Sequence, residues 1–129
     1  MADDQSSKRA YDLEERTAKF GEMVIGFANK IPKNVITLPM ISQLVRAGTS
    51  VGANYCEALC AESPKDFEHK LGICKKEAKE AKHWVRMIVY SIPRLEVFGR
   101  SVWQASHELQ LIFIASVATA RHNRALSTM

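Results

Sequence analysis

Between Phe67 and Ile92, eight small or apolar residues (Phe67, Leu71, Cys74, Ala78, Ala81, Val85, Ile88 and Ile92) recur at alternating steps of four and three. That heptad spacing keeps one seam of a helix turned toward its neighbours. It suits helices that cross at about 20° in a left-handed bundle. The segment carries its own boundaries: Ser63 in N-cap position, Pro64 in the first turn, Asp66 at the third position, and Pro93 as the stop. At 1.5 Å per residue it extends roughly 43 Å, and a seam of that length needs other long helices to cover it.

A second helix is expected over Pro39–Leu59, with Thr37 as its N-cap and Pro39 in the first turn, where a missing N–H costs little. Ile41, Leu44, Val45, Gly48, Val51, Gly52, Tyr55, Ala58 and Leu59 form a broad apolar arc. Only Arg46 and Glu57 are charged within it, which reads as a central helix covered on most of its circumference. Gln43, Arg46, Ser50, Asn54 and Glu57 form a narrow polar stripe. Arg46 and Glu57 lie roughly 16 Å apart along the axis, so each needs a partner on another helix or another chain. The expected role of the stripe is a structural hydrogen-bond network, with a ligand or RNA site as the alternative.

Two further helices complete the pattern. Leu13, Phe20, Met23, Val24, Phe27 and Ile31 share a face from Asp12 up to Pro32, with acidic residues in the first turn. Val102, Ala105, Leu109, Ile112, Phe113 and Ser116 share another, in a helix starting near Arg100. In its second half Leu111, Ile114, Ala115 and Ala118 point elsewhere and are also uncharged, so that end is expected to be either deeply buried or covered by another subunit. No stretch alternates as a strand does. The expected fold is all-α: an up-and-down antiparallel four-helix bundle over residues 11–121, with a mobile arm at 1–10 and a frayed tail at 122–129.

A chain of 129 residues, 47% hydrophobic and 25% charged, can bury a core without disulfides or metals. Cys56, Cys60 and Cys74 form no framework spacing and read as reduced core thiols. The N-terminus has no apolar signal region, and no apolar run reaches the roughly 20 residues of a membrane span. The expectation is a cytoplasmic protein without membrane contact.

The net charge of +4 has a definite location. Residues 1–36 carry six basic and six acidic groups, whereas Pro64–Arg100 carries nine basic and five acidic ones. Within that segment the face opposite the seam carries Lys75, Lys79, Lys82 and Arg86, aligned over about 16 Å and flanked by Lys76 and His83. The row is the candidate contact for phosphates, its alternative being a solvated outer face. No exposed aromatic interleaves with it, so neither base stacking nor sequence-specific readout is expected. Glu80-x-x-His83 has di-iron spacing, but the two residues point away from the seam and the spacing does not recur. Cys56, Cys60 and His69 lack the spacing of a structural zinc site. With no phosphate loop, nucleophile elbow or paired carboxylates, no enzyme, metal or cofactor is expected.

The order QLVRAGTSVGANYCEA, SPKDFEHKL, KEAKEAKHWVRMI resembles the four-helix-bundle proteins of the 23S rRNA intervening-sequence type, over about Leu13–Ala120. The residues that carry the resemblance are Gln43, Arg46, Ala47, Ser50, Asn54 and Glu57, then Asp66, Phe67, Leu71, Glu77 and Trp84. Ala58 and Ala61 depart from the family pattern, which tends to Gly and then Arg or Lys there. The resemblance implies a bundle assembling as a ring, often a pentamer. It also implies kinship with accessory proteins of diversity-generating retroelements, which bind reverse transcriptase and nucleic acid. Together these readings give a non-enzymatic homo-oligomer associated with RNA through the face of Lys75, Lys76, Lys79, Lys82 and Arg86. The alternative is a protein-interaction adaptor serving a nucleic-acid enzyme of the reverse transcriptase type.

Overall fold

The structure, a computed structural model, describes residues 2–127. Four helices follow one another: α1 (Ala2–Ala28), α2 (Thr37–Leu59), α3 (Pro64–Ser91) and α4 (Glu96–Ser127), with a 3-10 turn at Pro93–Leu95 before the last. There is no strand among the described residues. Residues that meet across each pair rise in one helix as they fall in the other. Gly48 and Gly52 face Val24 and Thr17, Arg46 and Glu57 meet Glu77 and Lys70, and Lys82 and Glu68 meet Gln110 and Arg124. Arg16–Glu108 and Phe27–Phe98 close the circuit between α1 and α4. The result is the expected up-and-down antiparallel four-helix bundle.

The element most extensively packed is α3, between α2 and α4; the α1–α4 seam is much the thinnest. This corrects the expectation that α2 is the central helix. Its uncharged circumference is not all covered: Leu44, Ala47, Gly48, Val51, Tyr55 and Ala58 are buried, while Leu59 and Cys56 are exposed. The α3 seam is buried from Leu71 to Ile88, with Phe67 and Ile92 half-buried at its ends. Two glycines permit close helix contact. A Cβ on Gly48 would stand 2.7 Å from Val24, and one on Gly99 would overlap Val89. The buried hydroxyls of Thr17 and Ser106 donate to carbonyls of the preceding turn in their own helices, so neither is left unpaired.

Local chemistry explains the boundaries. Ser63 accepts a hydrogen bond from the Asp66 amide at 3.0 Å, which starts α3 where its sequence places it. Thr37 does not cap α2. Its hydroxyl donates to the Pro32 carbonyl and accepts from the Asn34 amide, while the Asn34 carboxamide oxygen accepts from the amides of Ile36 and Thr37. Asn34 is thus the side chain that satisfies the first free amides, and Thr37 is buried as the knot of the loop. Helix α4 starts at Glu96, earlier than expected, because Pro93–Leu95 turns at once into a helix supported by Glu96–Arg100 at 2.7 Å.

Helical backbone also continues through residues 2–10 and 122–127, the segments read as arm and tail. At the C-terminal end Glu68 of α3 holds Arg124 at 3.1 Å and Arg121 at 3.6 Å, which ties the last turns of α4 to the bundle. Thr128 and Met129 lie outside the described residues. Leu111, Ile114, Ala115 and Ala118 are exposed on the outer side of α4, Leu111 by 52% and Ile114 by 46%.

Candidate functional site

Each residue of the basic row follows a seam residue by one: Lys75 after Cys74, Lys79 after Ala78, Lys82 after Ala81, Arg86 after Val85. One residue is about 100° of helix rotation, so the row is not opposite the seam, which corrects that expectation. It lies on the side of α3 that meets α4. Lys82 donates to the Gln110 carboxamide oxygen at 2.8 Å and to His107 Nδ1 at 3.1 Å, with its ammonium 5.0 Å from the Trp103 ring centroid. Lower in the same groove Lys75 shares a recess with Val117 and Arg121; higher, Arg86 shares one with Trp103 and Arg100. Lys76, Lys79 and Arg86 are exposed and Lys75 is half-buried. Among the described residues, none of these four forms an ion pair.

The groove therefore holds Lys75, Lys79 and Arg86 in line, with Lys76 further round the outer surface and Lys82 folded against α4. It also brings aromatic rings to the cations, which reading along one helix missed. Trp103 and His107 stack with centroids 5.1 Å apart. They come from α4, so their only sequence signal is a spacing of four on a helix whose register against α3 is set by packing.

The residues that precede the seam turn the other way, toward α2. Glu77 precedes Ala78, Glu80 precedes Ala81 and Trp84 precedes Val85. Arg46 donates through Nη1 to both oxygens of Glu77 (3.3 and 3.1 Å) and through Nη2 to Glu80 at 2.6 Å. Those bonds, with Glu80 the strongest influence, raise the guanidinium above its ordinary pKa. Glu57 reaches Lys70 at 3.7 Å, Asn54 donates to the Ser50 carbonyl of its own helix, and Gln43 is exposed. Within one chain the five stripe residues are thus not brought into a single network. Arg46 and Glu57 each pair with α3 instead.

Glu80 is occupied by Arg46, while His83 is exposed and sits edge-on to Trp84 at 5.0 Å, so the di-iron spacing converges on nothing. Cys56 on α2 and Cys60 just after it are exposed, contrary to the expectation of three core thiols; Cys74 is buried, its thiol 3.4 Å from the Val51 carbonyl. Burial pushes that thiol up to about 12. Among the described residues no group of three or more His, Cys, Asp or Glu is arranged to hold a metal ion, and no helix is long and apolar enough to cross a membrane.

The sequence matches the family described as 23S rRNA-intervening sequence protein over residues 9–91, which takes in most of α1 and all of α2 and α3. Among solved structures it is similar to a protein of unknown function from the S23 ribosomal protein family of Bacteroides thetaiotaomicron. Identity is 28% and the TM-score 0.72, covering 81% of this chain and 96% of that one. No curated protein matches it.

Proposed function

The chain belongs to the 23S rRNA-intervening sequence protein family, and on that premise we propose that it is a non-enzymatic, cytoplasmic homo-oligomer that associates with RNA through the α3–α4 groove. The observation that carries the reading is the line of cations without counter-ions: Lys75, Lys79 and Arg86 in the groove, with Lys76 beside them. Phosphates neutralise such a line without any base being read, and each contact releases counterions. Lys82 contributes less than its place in the row suggests, because Gln110, His107 and Trp103 already engage it.

Self-association is supported by Leu111, Ile114, Ala115 and Ala118, spaced as one stripe on α4 and exposed. A ring of copies, five on the family resemblance, repeats the groove around its axis and multiplies weak phosphate contacts. The same stripe supports the rival reading, an adaptor docking on a nucleic-acid enzyme, since it suits a foreign apolar surface as well.

Fluorescence anisotropy with unrelated single-stranded RNAs across a salt series tests the proposal. Replacing Lys75, Lys76 and Lys79 by Gln keeps helix propensity nearly unchanged. It should weaken all the RNAs alike and flatten the salt slope by about 2, at roughly 0.7 per phosphate. Wild type that fails to bind at low salt, or binding indifferent to the triple change, overturns the RNA reading in favour of the adaptor. Light scattering at one-chain mass overturns the oligomer.

A further inference from the structure

Trp103 stands between two unlike surroundings. Toward the following turn of α4 its ring is occupied: His107 stacks on it, 17° from parallel, and the Lys82 ammonium lies over it. Toward the preceding turns, Gly99 and Arg100 join Val85, Arg86 and Val89 of α3 to line a cavity of about 190 Å3, to which Trp103 gives a wall. The lining is largely apolar, with Arg86, Arg100 and Glu96 as its charged members. Arg100 is held by Glu96 at 2.7 Å, so that pair is neutral and the net charge of the lining is that of Arg86. Arg86 is also the upper end of the row that begins at Lys75.

A cavity smaller than the roughly 300–1,000 Å3 of sites for drug-sized ligands takes one planar ring. A polyanion that follows the cations upward arrives at that cavity with its backbone at Arg86. We infer that the cavity beside Trp103 captures one unpaired base of single-stranded nucleic acid, stacked on the indole, with the adjoining phosphate on Arg86. The inference rests on the RNA reading above and sharpens it. Binding selects single strands over duplexes, because a paired base cannot leave its stack to enter. An acidic peptide satisfies Arg86 equally but brings no flat ring to the indole.

The test reads Trp103 itself. In a Trp84→Phe background, where Trp103 is the one remaining tryptophan, a 12-nucleotide oligoadenylate should quench the fluorescence saturably. A duplex of equal length should bind without that quench. Trp103→Leu should lose about 5- to 150-fold in affinity for the single strand, the range that base–aromatic stacking spans, and nothing for the duplex. Trp103→Phe should keep most of the affinity. If Trp103→Leu fails to keep its helical circular dichroism, the quench in the Trp84→Phe chain decides alone. Single-strand binding that weakens in the lysine variant but shows no quench and ignores Trp103 overturns the stacking site and leaves the phosphate reading standing. No oligonucleotide binding at all overturns both. Equal quenching by a polyglutamate peptide overturns it in favour of an acidic protein partner.

Discussion

Replacing Arg46 by Met removes the cation that two α3 carboxylates share, while keeping a long stem and good helix propensity. The two halves of the contact are unequal. Glu80 is 36% exposed and Arg46 48%, so their bridge counts as a surface pair of about 0–1 kcal/mol. Glu77 is 7% exposed, and without Arg46 its carboxylate stays buried with no cation beside it. Breaking a fully buried pair costs about 3–5 kcal/mol. Half-exposed Arg46 lets water into the space it vacates, which discounts that figure to about 2 kcal/mol. For a chain of this length the loss corresponds to a fall in Tm of about 6–10 °C.

Urea unfolding followed by circular dichroism measures the cost, provided the m-value is unchanged. The second arm is Arg46→Met with Glu77→Leu. Taking both charges out of the α2–α3 groove should recover at least half the loss, since the penalty lies in the orphaned carboxylate rather than in a missing attraction. High salt should leave most of the cost in place, because Glu77 is sheltered. A single-variant cost under about 0.5 kcal/mol, or a double variant whose cost is the sum of its parts, refutes the assignment of Glu77 as the buried partner.

Gly72 lies in mid-α3 with nothing within 4 Å of an added Cβ, so Gly72→Ala should stabilise by about 0.5–1 kcal/mol, read as a rise in Tm of a few degrees. Two thiols per native chain, Cys56 and Cys60, should react promptly with an aromatic disulfide reagent near pH 8. Cys74, buried and pushed up to about 12, should react only on unfolding. The hydrogen bond from Arg124, with the charges of Arg124 and Arg121, holds the Glu68 carboxyl below its ordinary value of 4.5. Its stabilising contribution is therefore present above that value and disappears as pH falls through the lower folded one, so the urea midpoints of wild type and Glu68→Gln should differ near neutral pH and converge as pH falls below 4.5.

How much of this was legible in the sequence depends on whether a feature lives on one helix or between two. The α3 seam, the Ser63 cap and the stop at Pro93 are one-helix features, and the fold follows from them, whereas α1 already ends at Ala28, in a turn that precedes Pro32. Thr37 misled because a threonine before Pro39 looks like a cap, while the capping atom belongs to Asn34, three residues earlier in an irregular loop. Cys56 and Cys60 were read as buried from residue type alone; Cys56 lies on α2 away from Leu44, Val51 and Tyr55, and Cys60 caps its end, which leaves both outside.

The groove chemistry was half legible. An offset of one residue after the seam puts the cations toward one neighbour, and an offset of one before it puts Glu77 and Glu80 toward the other. Both offsets can be counted in the sequence. Which neighbour lies on which side cannot be counted, because the handedness of the bundle decides it. Nor does spacing show that Trp103 and His107 stand opposite Lys82, since that register depends on the whole α3–α4 contact, including the overlap that only glycine avoids at position 99. The aromatic rings that reach Lys82 come from the neighbouring helix, one groove wall away. An interface assembled from two helices leaves in the sequence two unrelated halves, a row of cations and a Trp-x-x-x-His, and packing makes them one surface.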